Sequence, residues 1–414
     1  MTIPSGRLAG LLAAGAAPIA VAVAVQSAGN LAFHAVVGRL LDPDAYGALG
    51  AVLSAMVMLG VPLGALQTAA SALAAAQGPG WPAARRTLRS VAVWSVPPAG
   101  LVLAGAPLLR DYFHLGSLAE SVQLGPYLVV AAVTAAARGL LLGDRKVGAV
   151  ATTYFAGTAI RLVLGVALAL TLGVSGALAA TVLGELASLL IAMHTLRRSS
   201  AQGGGSALQL RAVGHAGLAV TGLFLFSTVD LLLARHHLRD GSSGAYVAAA
   251  TIAKTVLALP AGIMSAVFPR LLAGWSRPGR GRVLLTGAAA VAGPALLGGL
   301  LIVALPALVL RILYGDGYTD ATGLVRTLAT VAALTSVVTV LTNAALARRS
   351  WTIAVPWGGA VLEVALIEMF HASATQIAAC SVAALVPILL LMVLLEARAW
   401  RPVPARRHPA ATAA

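Results

Sequence analysis

The sequence predicts an all-α polytopic membrane protein with about twelve transmembrane helices. Long apolar segments recur from the beginning of the 414-residue chain almost to its end. Hydrophobic residues make up 59% of the chain and charged residues only 10%, a composition that soluble globular domains do not have. Because a hydrocarbon core about 30 Å thick needs roughly 20 apolar residues in a helix, each segment is interpreted as one crossing.

The apolar segments divide the chain, in order, into twelve predicted spans. They are 10–37, 47–74, 91–109, 124–142, 148–171, 177–196, 215–234, 244–267, 284–310, 323–346, 351–370 and 374–396. The first segment is longer than the apolar core of a typical signal peptide and carries Gln26, Asn30 and His34, so we interpret it as an uncleaved first helix. His34, like His194 and His371, is close to a span end, where an interfacial position is expected.

Basic residues are concentrated on alternate connections between the spans, and the net charge is +15. The basic side carries Arg7, Arg85, Arg86, Arg89, Arg145, Lys146, Arg197, Arg198, Arg211, Arg270, Arg277, Arg280, Arg282, Arg348, Arg349, Arg398, Arg401, Arg406 and Arg407. The other side keeps only Arg39, Arg110, Arg235, Arg239 and Arg311. The positive-inside rule therefore predicts a multi-pass protein of the cytoplasmic membrane with both termini in the cytoplasm.

A Gly- and Ser-rich connection near residue 200 divides the chain into two predicted six-helix bundles, residues 1–200 and residues 201–414 with a basic tail. A faint repeat relates the two. Ala45-Tyr46 corresponds to Ala245-Tyr246, and Leu59-Gly60-Val61-Pro62 corresponds to Leu257-Ala258-Leu259-Pro260. Duplicated halves around a central cavity are a common plan for transporters.

Ionisable side chains inside the spans are the strongest functional signal, because each is costly in a membrane unless it is paired or hydrated. Counting 1.5 Å per residue places Lys254 and Arg161 near the middle of the membrane. Glu185 is slightly shallower, and Asp230 lies closer to the outer face. We expect Arg161 to meet Glu185 in the first half and Lys254 to meet Asp230 in the second. These pairs could bind a ligand or simply hold helices together.

Two further charged residues lie inside predicted spans. Glu363 falls in the outer half of the eleventh span. Arg138 falls about one turn from the cytoplasmic end of the fourth span, where we expect its side chain to reach the interface.

The chain carries no nucleotide-binding, zinc-protease or serine-hydrolase motif, and we expect no cofactor, no metal site, no catalytic residue and no enzymatic activity. The single cysteine, Cys380, excludes an intramolecular disulfide.

Asp42-Pro43-Asp44, in the first outer connection, has two interpretations. Acidic residues there could serve a membrane glycosyltransferase, or they could cap the second helix. We favour the cap, because no sizeable outer loop could cover an active site.

The same connection carries a family resemblance. The segment from Gly38 to Gly47, Gly-Arg-Leu-Leu-Asp-Pro-Asp-Ala-Tyr-Gly, resembles the link between helices 1 and 2 of polysaccharide flippases, which belong to the multidrug/oligosaccharidyl-lipid/polysaccharide exporter superfamily. Asp230, the Gly244–Tyr246 segment and the Val267–Leu271 segment strengthen the likeness. The layout fits nearly the whole chain, while the specific motifs cover only helices 1–2 and 7–8.

The resemblance implies two bundles in a V around a cationic cavity that faces each side of the membrane in turn. The implied cargo is a polyprenyl-pyrophosphate-linked oligosaccharide for cell-surface polysaccharide synthesis. The implied partners are this cargo, membrane lipids and, as candidates, a polysaccharide polymerase and glycosyltransferases, with no nucleic acid. The implied substrate-binding cations are Lys254, Arg161, Arg138 and Arg39, and the residues for coupling or charge tuning are Asp230, Glu185 and Glu363.

Three alternatives remain open at this point. A cation-coupled drug or metabolite exporter would share the fold. A membrane glycosyltransferase would use Asp42 and Asp44. A scaffold in a polysaccharide synthesis complex would need no transport chemistry. Aromatic residues make up only 5% of the chain, so platforms on which sugars could stack are few.

Overall fold

The computed structural model describes residues 5–77, 80–198, 211–239, 241–255, 293–294, 296–347 and 350–399, and helix is the only regular secondary structure in them. In the first half the helices are α1 Ser5–Leu40, α2 Pro43–Gln77, α3 Trp81–Ala104, α4 Ala106–Tyr112, α5 Leu118–Val122, α6 Leu124–Gly143 and α7 Val147–Arg197. In the second half they are α8 Arg211–Phe226, α9 Val229–His237, α10 over 242–255, α11 Leu296–Ala304, α12 Pro306–Tyr314, α13 Thr322–Ala347, α14 Val355–Met369 and α15 Ala374–Ala399, with 3₁₀ turns at Gly315–Ala321 and Trp351–Ala354.

The predicted fold class, an all-α polytopic membrane protein, is confirmed. Seven helices of the described residues are long and apolar enough to cross a membrane, and the bent pair α11–α12 is an eighth candidate. One of the seven, α7, has 51 residues with a non-helical backbone at Gly173. The two parts on either side of Gly173 fold back against each other, since Ser188 Oγ donates to the Thr153 carbonyl at 2.8 Å, and each part is long enough for one crossing. Parts of the spans predicted over 244–267 and 284–310 lie outside the described residues, so twelve crossings remain a prediction.

The third helix begins earlier than predicted. We expected a span over 91–109, but α3 begins at Trp81 and places Arg85, Arg86 and Arg89 inside the helix. The three arginines are exposed while other faces of the same turns are buried. The helix therefore continues beyond its apolar part, because it can still pack inward there.

Two predicted spans are interrupted. The span over 215–234 breaks at Ser227 and Thr228, between α8 and α9. The span over 284–310 bends by 87° between α11 and α12. Pro306 opens α12 there, and proline cannot donate the backbone hydrogen bond that would continue the preceding helix.

The two halves share one buried apolar cluster at the end of the bundle that holds the α1–α2 connection, which we call the Asp42 end. The cluster includes Phe33, Tyr46 and Met56 of the first half and Leu231, Tyr246 and Leu310 of the second. At the opposite end each half has its own cluster. Leu88, Leu141 and Leu189 belong to the first-half cluster, and Phe226, Val338 and Leu385 to the second-half cluster. The halves also touch further along α2, where Gly217 faces Ala65.

Glycines let α2 and α10 approach closely at the Asp42 end. A Cβ atom on Gly47 would overlap Ser243, one on Gly50 would overlap the Val247 side chain, and one on Gly244 would overlap the Pro43 carbonyl group. Small residues permit this kind of close packing between membrane helices. The halves are therefore joined tightly at this end.

The structure extends the internal repeat beyond the predicted pairs. In each half a helix is followed by a one-residue break and a short helix that ends in tyrosine. In the first half α3 precedes α4, which ends at Tyr112, and in the second half α11 precedes α12, which ends at Tyr314. Arg110 and Arg311 occupy the last turn of the short helices. The predicted boundary between the bundles, at residue 200, lies outside the described residues and remains a prediction.

Candidate functional site

A small pocket in the second half surrounds Lys254. It is formed by residues of α8, α9, α10, α13 and α14, and includes Phe226, Ser227, Asp230, Lys254, Thr335 and Glu363. Lys254 is half-buried in the last turn of the described part of α10. The sequence placed Asp230 beside Lys254, and the structure brings both into one pocket together with Glu363.

The two carboxylates of this pocket are buried and incompletely hydrogen-bonded. Asp230 Oδ2 accepts a hydrogen bond from the Tyr246 hydroxyl at 2.9 Å. Asp230 Oδ1 and Glu363 Oε2 are also buried but have no hydrogen-bond partner among the described residues. Unpartnered buried carboxylate oxygens are costly unless a cation or proton meets them. The pocket therefore combines one ammonium group with two acidic groups that can accept a further ligand.

Arg161, the deep cation of the first half, does not pair with Glu185 as predicted. Its Nη1 donates to Asn30 Oδ1 at 2.8 Å, and its guanidinium lies 4.1 Å from the centre of the Phe33 ring. Its Nε is buried and has no hydrogen-bond partner among the described residues. Contact with a neutral amide and an aromatic ring leaves the positive charge available to an anion.

Glu185 instead pairs with Arg138, and the prediction that Arg138 reaches the interface is wrong. Arg138 Nη1 donates to Glu185 Oε1 at 3.1 Å, and Nε donates to Thr153 Oγ1 at 3.0 Å. The same guanidinium stacks 4.2 Å from the centre of the Tyr154 ring. Arg138 is buried because these partners satisfy it inside the bundle. The pair joins α6 to α7.

His34 is not interfacial, although its position near the end of α1 led to that expectation. The side chain is buried, and Nδ1 lies 2.9 Å from the Tyr46 hydroxyl. Both Arg161 and Lys254 are close enough to His34 to act on it electrostatically. His34 is therefore within electrostatic range of one cation from each half.

A tyrosine cluster next to His34 was not predicted from the sequence. The hydroxyl groups of Tyr46 and Tyr314 are 3.0 Å apart, and both interact with the Thr251 side chain, one turn before Lys254. The Tyr318 ring also packs on both tyrosines. The repeated Ala-Tyr pair drew attention to Tyr46. Nothing in the local sequence, however, indicates that Tyr46 contacts residues near position 314.

Asp42 caps α2, as the favoured interpretation predicted. Asp42 Oδ1 accepts from the backbone N–H groups of Asp44 and Ala45, each at 3.0 Å. The Asp44 carboxylate forms an ion pair with Arg235 at 2.5 Å. In the described part of the chain no three His, Cys, Asp or Glu residues could hold a metal ion together.

Arg39, the remaining predicted cation, contacts backbone rather than the pocket around Lys254. Its Nε donates to the Leu313 carbonyl at 2.9 Å, and its Nη2 donates to the Ile312 carbonyl. Both acceptors lie at the end of α12, in the other half of the molecule.

No family model and no curated protein matches the sequence, but solved structures match the fold across nearly the whole chain. A multidrug resistance MATE family transporter of the MOP superfamily in an inward-facing conformation has a TM-score of 0.70 and 15% identity, over 90% of this chain and 94% of that chain. The fold is that of MOP transporters. The MATE multidrug transporter DinF-BH in complex with R6G gives a TM-score of 0.66 with 16% identity, over 94% and 95% of the two chains. A MOP superfamily transporter from Pyrococcus furiosus gives 0.63 with 16% identity, over 94% of each chain.

Proposed function

We propose that this protein is a flippase that moves a polyprenyl-pyrophosphate-linked oligosaccharide across the cytoplasmic membrane by alternating access, for cell-surface polysaccharide synthesis. The observation that supports it best is that each half contributes one deep cation: Arg161, whose hydrogen-bonding partner is the neutral Asn30, and Lys254, which lines the pocket. Its fold matches transporters along nearly its full length, which favours transport over the glycosyltransferase and scaffold alternatives.

The two cations lie at matching depths. Lys254 is about 18 Å along α10 from its start, and Arg161 is about 18 Å along α7 from the kink at Gly173, at 1.5 Å per residue. Both distances are close to half the thickness of a hydrocarbon core. Cations from opposite halves at one depth suit a ligand that is passed between two bundles.

A pyrophosphate cargo requires cationic groups within the membrane. A pyrophosphate that crosses the membrane must exchange its water shell for fixed charges and hydrogen-bond donors. Arg161 has no carboxylate as its hydrogen-bonding partner in the described structure, and Lys254 faces the pocket. Both can therefore contribute charge-assisted hydrogen bonds to phosphate oxygens.

The acidic groups beside Lys254 suit coupling to an ion gradient. A sodium ion or a proton at Asp230 and Glu363 would satisfy their unpartnered oxygens and change the charge that Lys254 meets. Cation binding at the carboxylates and pyrophosphate binding at Lys254 would then favour each other, because neutralised carboxylates no longer compete with phosphate oxygens for the ammonium group. Glu185 has no such role in this proposal, because Arg138 already neutralises it.

The proposed orientation places the Asp42 end outside the cell and both termini in the cytoplasm. The excess of basic residues on the opposite loops supports it. Cysteines introduced between residues 199 and 210 should react with an impermeant thiol reagent only from the cytoplasm. Labelling from outside would contradict this orientation.

The second candidate is a cation-coupled drug or metabolite exporter. The specific observation in its favour is the pair of incompletely bonded carboxylates, which could also receive a cationic cargo. Two of the structural neighbours are named as multidrug transporters.

A reconstitution experiment separates the two candidates. Purified protein in liposomes would be given either a fluorescent polyprenyl-pyrophosphate sugar or a cationic dye, each under imposed sodium or proton gradients. The flippase proposal predicts faster appearance of the lipid-linked sugar on the far leaflet and no gradient-driven dye movement. Dye movement without any effect on several lipid-linked sugars would support the exporter instead.

A further inference from the structure

We infer that Arg39 and Arg235 form a matched pair of gate residues that hold the Asp42 end closed, each by binding the short helix of the opposite half. This inference rests on the proposed alternating access but is independent of the cargo. Neither arginine lines the pocket around Lys254.

The first member of the pair is Arg39. It lies in the last turn of α1, in the first half. Its guanidinium donates to the carbonyl groups of Ile312 and Leu313, at the end of α12 in the second half. The carbonyl groups in the last turn of a helix have no partners within the helix and carry partial negative charge, so an arginine there is a favourable cap.

The second member, Arg235, lies in the second half and binds the first half. It lies in the last turn of α9, in the second half. Its Nε donates to the Phe113 carbonyl at 2.9 Å and its Nη2 to the His114 carbonyl at 2.8 Å, immediately after α4 in the first half. Its Nη1 also binds Asp44 and the Ser243 hydroxyl, the latter at 2.9 Å.

The tyrosines of the short helices make matching contacts. Tyr112, which ends α4, stacks on His236 of the second half with ring centroids 3.9 Å apart. Tyr314, which ends α12, contacts Tyr46 of the first half. Each half therefore contributes one arginine and one terminal tyrosine to the closure. Each of these four side chains contacts the opposite half.

The positions of these contacts explain why they must break during transport. They lie beside the apolar cluster that joins the halves, whereas the opposite end has a separate cluster in each half. If the halves separate at the Asp42 end, Arg39 and Arg235 lose acceptors on the other half. Both arginines therefore stabilise the state closed at this end and have fewer partners in the open state.

The test measures access to the pocket and needs no cargo. Cys380 is replaced by alanine, Ser227→Cys places a reporter beside Lys254, and an impermeant maleimide is added outside intact cells. We expect Arg39→Met and Arg235→Met each to raise the labelling rate about tenfold over the same protein with both arginines. Arg235→Lys keeps the charge but loses the planar set of donors of the guanidinium, so it should give a smaller rise. This variant provides the test if Arg235→Met folds poorly.

Arg326 supplies the matched control. It is an exposed arginine in α13 that donates to the Val303 carbonyl at 3.2 Å, but donor and acceptor both belong to the second half. Arg326→Met should leave the labelling rate unchanged. Unchanged labelling in folded Arg39 and Arg235 variants, or an equal rise in Arg326→Met, would overturn the inference. Because labelling is scored without any added cargo, a failed cargo assay alone would leave this inference standing.

Discussion

In the first half of the molecule Arg138 and Glu185 form a closed ion pair, whereas the charged pocket around Lys254 in the second half is left partly open. Arg138 has Glu185 and Thr153, and these contacts occupy its Nη1 and Nε. Lys254 instead shares a pocket with two carboxylates, each of which has a buried oxygen without a hydrogen bond in the described structure. A basic and an acidic residue therefore form a closed pair in the first bundle, whereas in the second bundle the acidic groups keep free acceptors.

Under the proposed function, this difference predicts that the second half responds to ligands. A closed ion pair such as Arg138–Glu185 fixes two helices relative to each other, and breaking it leaves an uncompensated buried charge. An open group of one ammonium and two carboxylates can exchange partners as cargo or a coupling cation arrives. Arg161 is intermediate, because an amide and a ring hold it without neutralising it.

The largest expected effect is the loss of transport in Lys254→Ala. Without the ammonium group the described part of the second half offers no cation at the depth of Arg161, so we expect flipping to fall to the rate of protein-free liposomes. Lys146→Ala is the matched control, since Lys146 is the other lysine of the chain and pairs with Asp144 near a helix end. Normal transport by a correctly inserted Lys254→Ala protein would contradict the proposed role of Lys254 in binding the cargo.

The next effect concerns stability rather than transport. Glu185→Gln leaves Arg138 buried without its carboxylate, and we expect roughly 3 kcal/mol of destabilisation from the loss of one partner of a buried pair. Thermal unfolding of the detergent-solubilised protein would measure it, with Glu368→Gln as the control, since the more exposed Glu368 carboxylate lies 3.4 Å from His237 Nε2. An unchanged melting temperature would show that the first half does not depend on this pair.

A smaller effect is expected on ion coupling. Asp230→Asn and Glu363→Gln should each reduce the stimulation of flipping by a sodium or proton gradient about tenfold, because each removes a negative charge from the proposed cation site. Asp320→Asn, at an exposed acid of the same half, should leave the stimulation intact. If both pocket variants keep full gradient dependence, coupling lies elsewhere.

The smallest effect is a shift in closure at the Asp42 end. Gly50→Leu would push against Val247 where the two halves meet, whereas Gly64→Leu, on the same helix, enters open space. We expect the first substitution to raise outside labelling of Ser227→Cys by a few-fold and the second to have no effect. Equal labelling of the two variants would mean that the close packing of α2 and α10 does not keep this end closed.

Much of the fold could be predicted from the sequence because membrane spans depend on local composition. Apolar length placed most helices, and the two-residue turn around Asp42 was predicted as a cap and confirmed. The breaks before Pro306 and at Ser227 were missed, because apolar residues continue through both. A hydropathy pattern does not reveal where a helix changes direction.

The pairing of charged side chains was less predictable, because it depends on which helices are neighbours. Glu185 lies in α7 and could reach either Arg138 or Arg161 by depth alone; the packing of α6 against α7 selected Arg138. His34 was assigned to the interface from its position along α1, but contact between the halves buries it. The Arg138–Glu185 pair joins residues 47 apart in the sequence, so it depends on tertiary packing rather than on local pattern.

The most direct test of the proposed function compares two cargoes in one liposome assay. The same fluorescent glycan would be attached to a polyprenyl pyrophosphate or to an uncharged lipid of equal length, and flipping would be followed for the unmodified protein and for Lys254→Arg. We predict that both proteins flip the pyrophosphate cargo much faster than the uncharged one, since arginine preserves the cation. Equal rates for the two cargoes in the unmodified protein would contradict a cavity built to bind pyrophosphate.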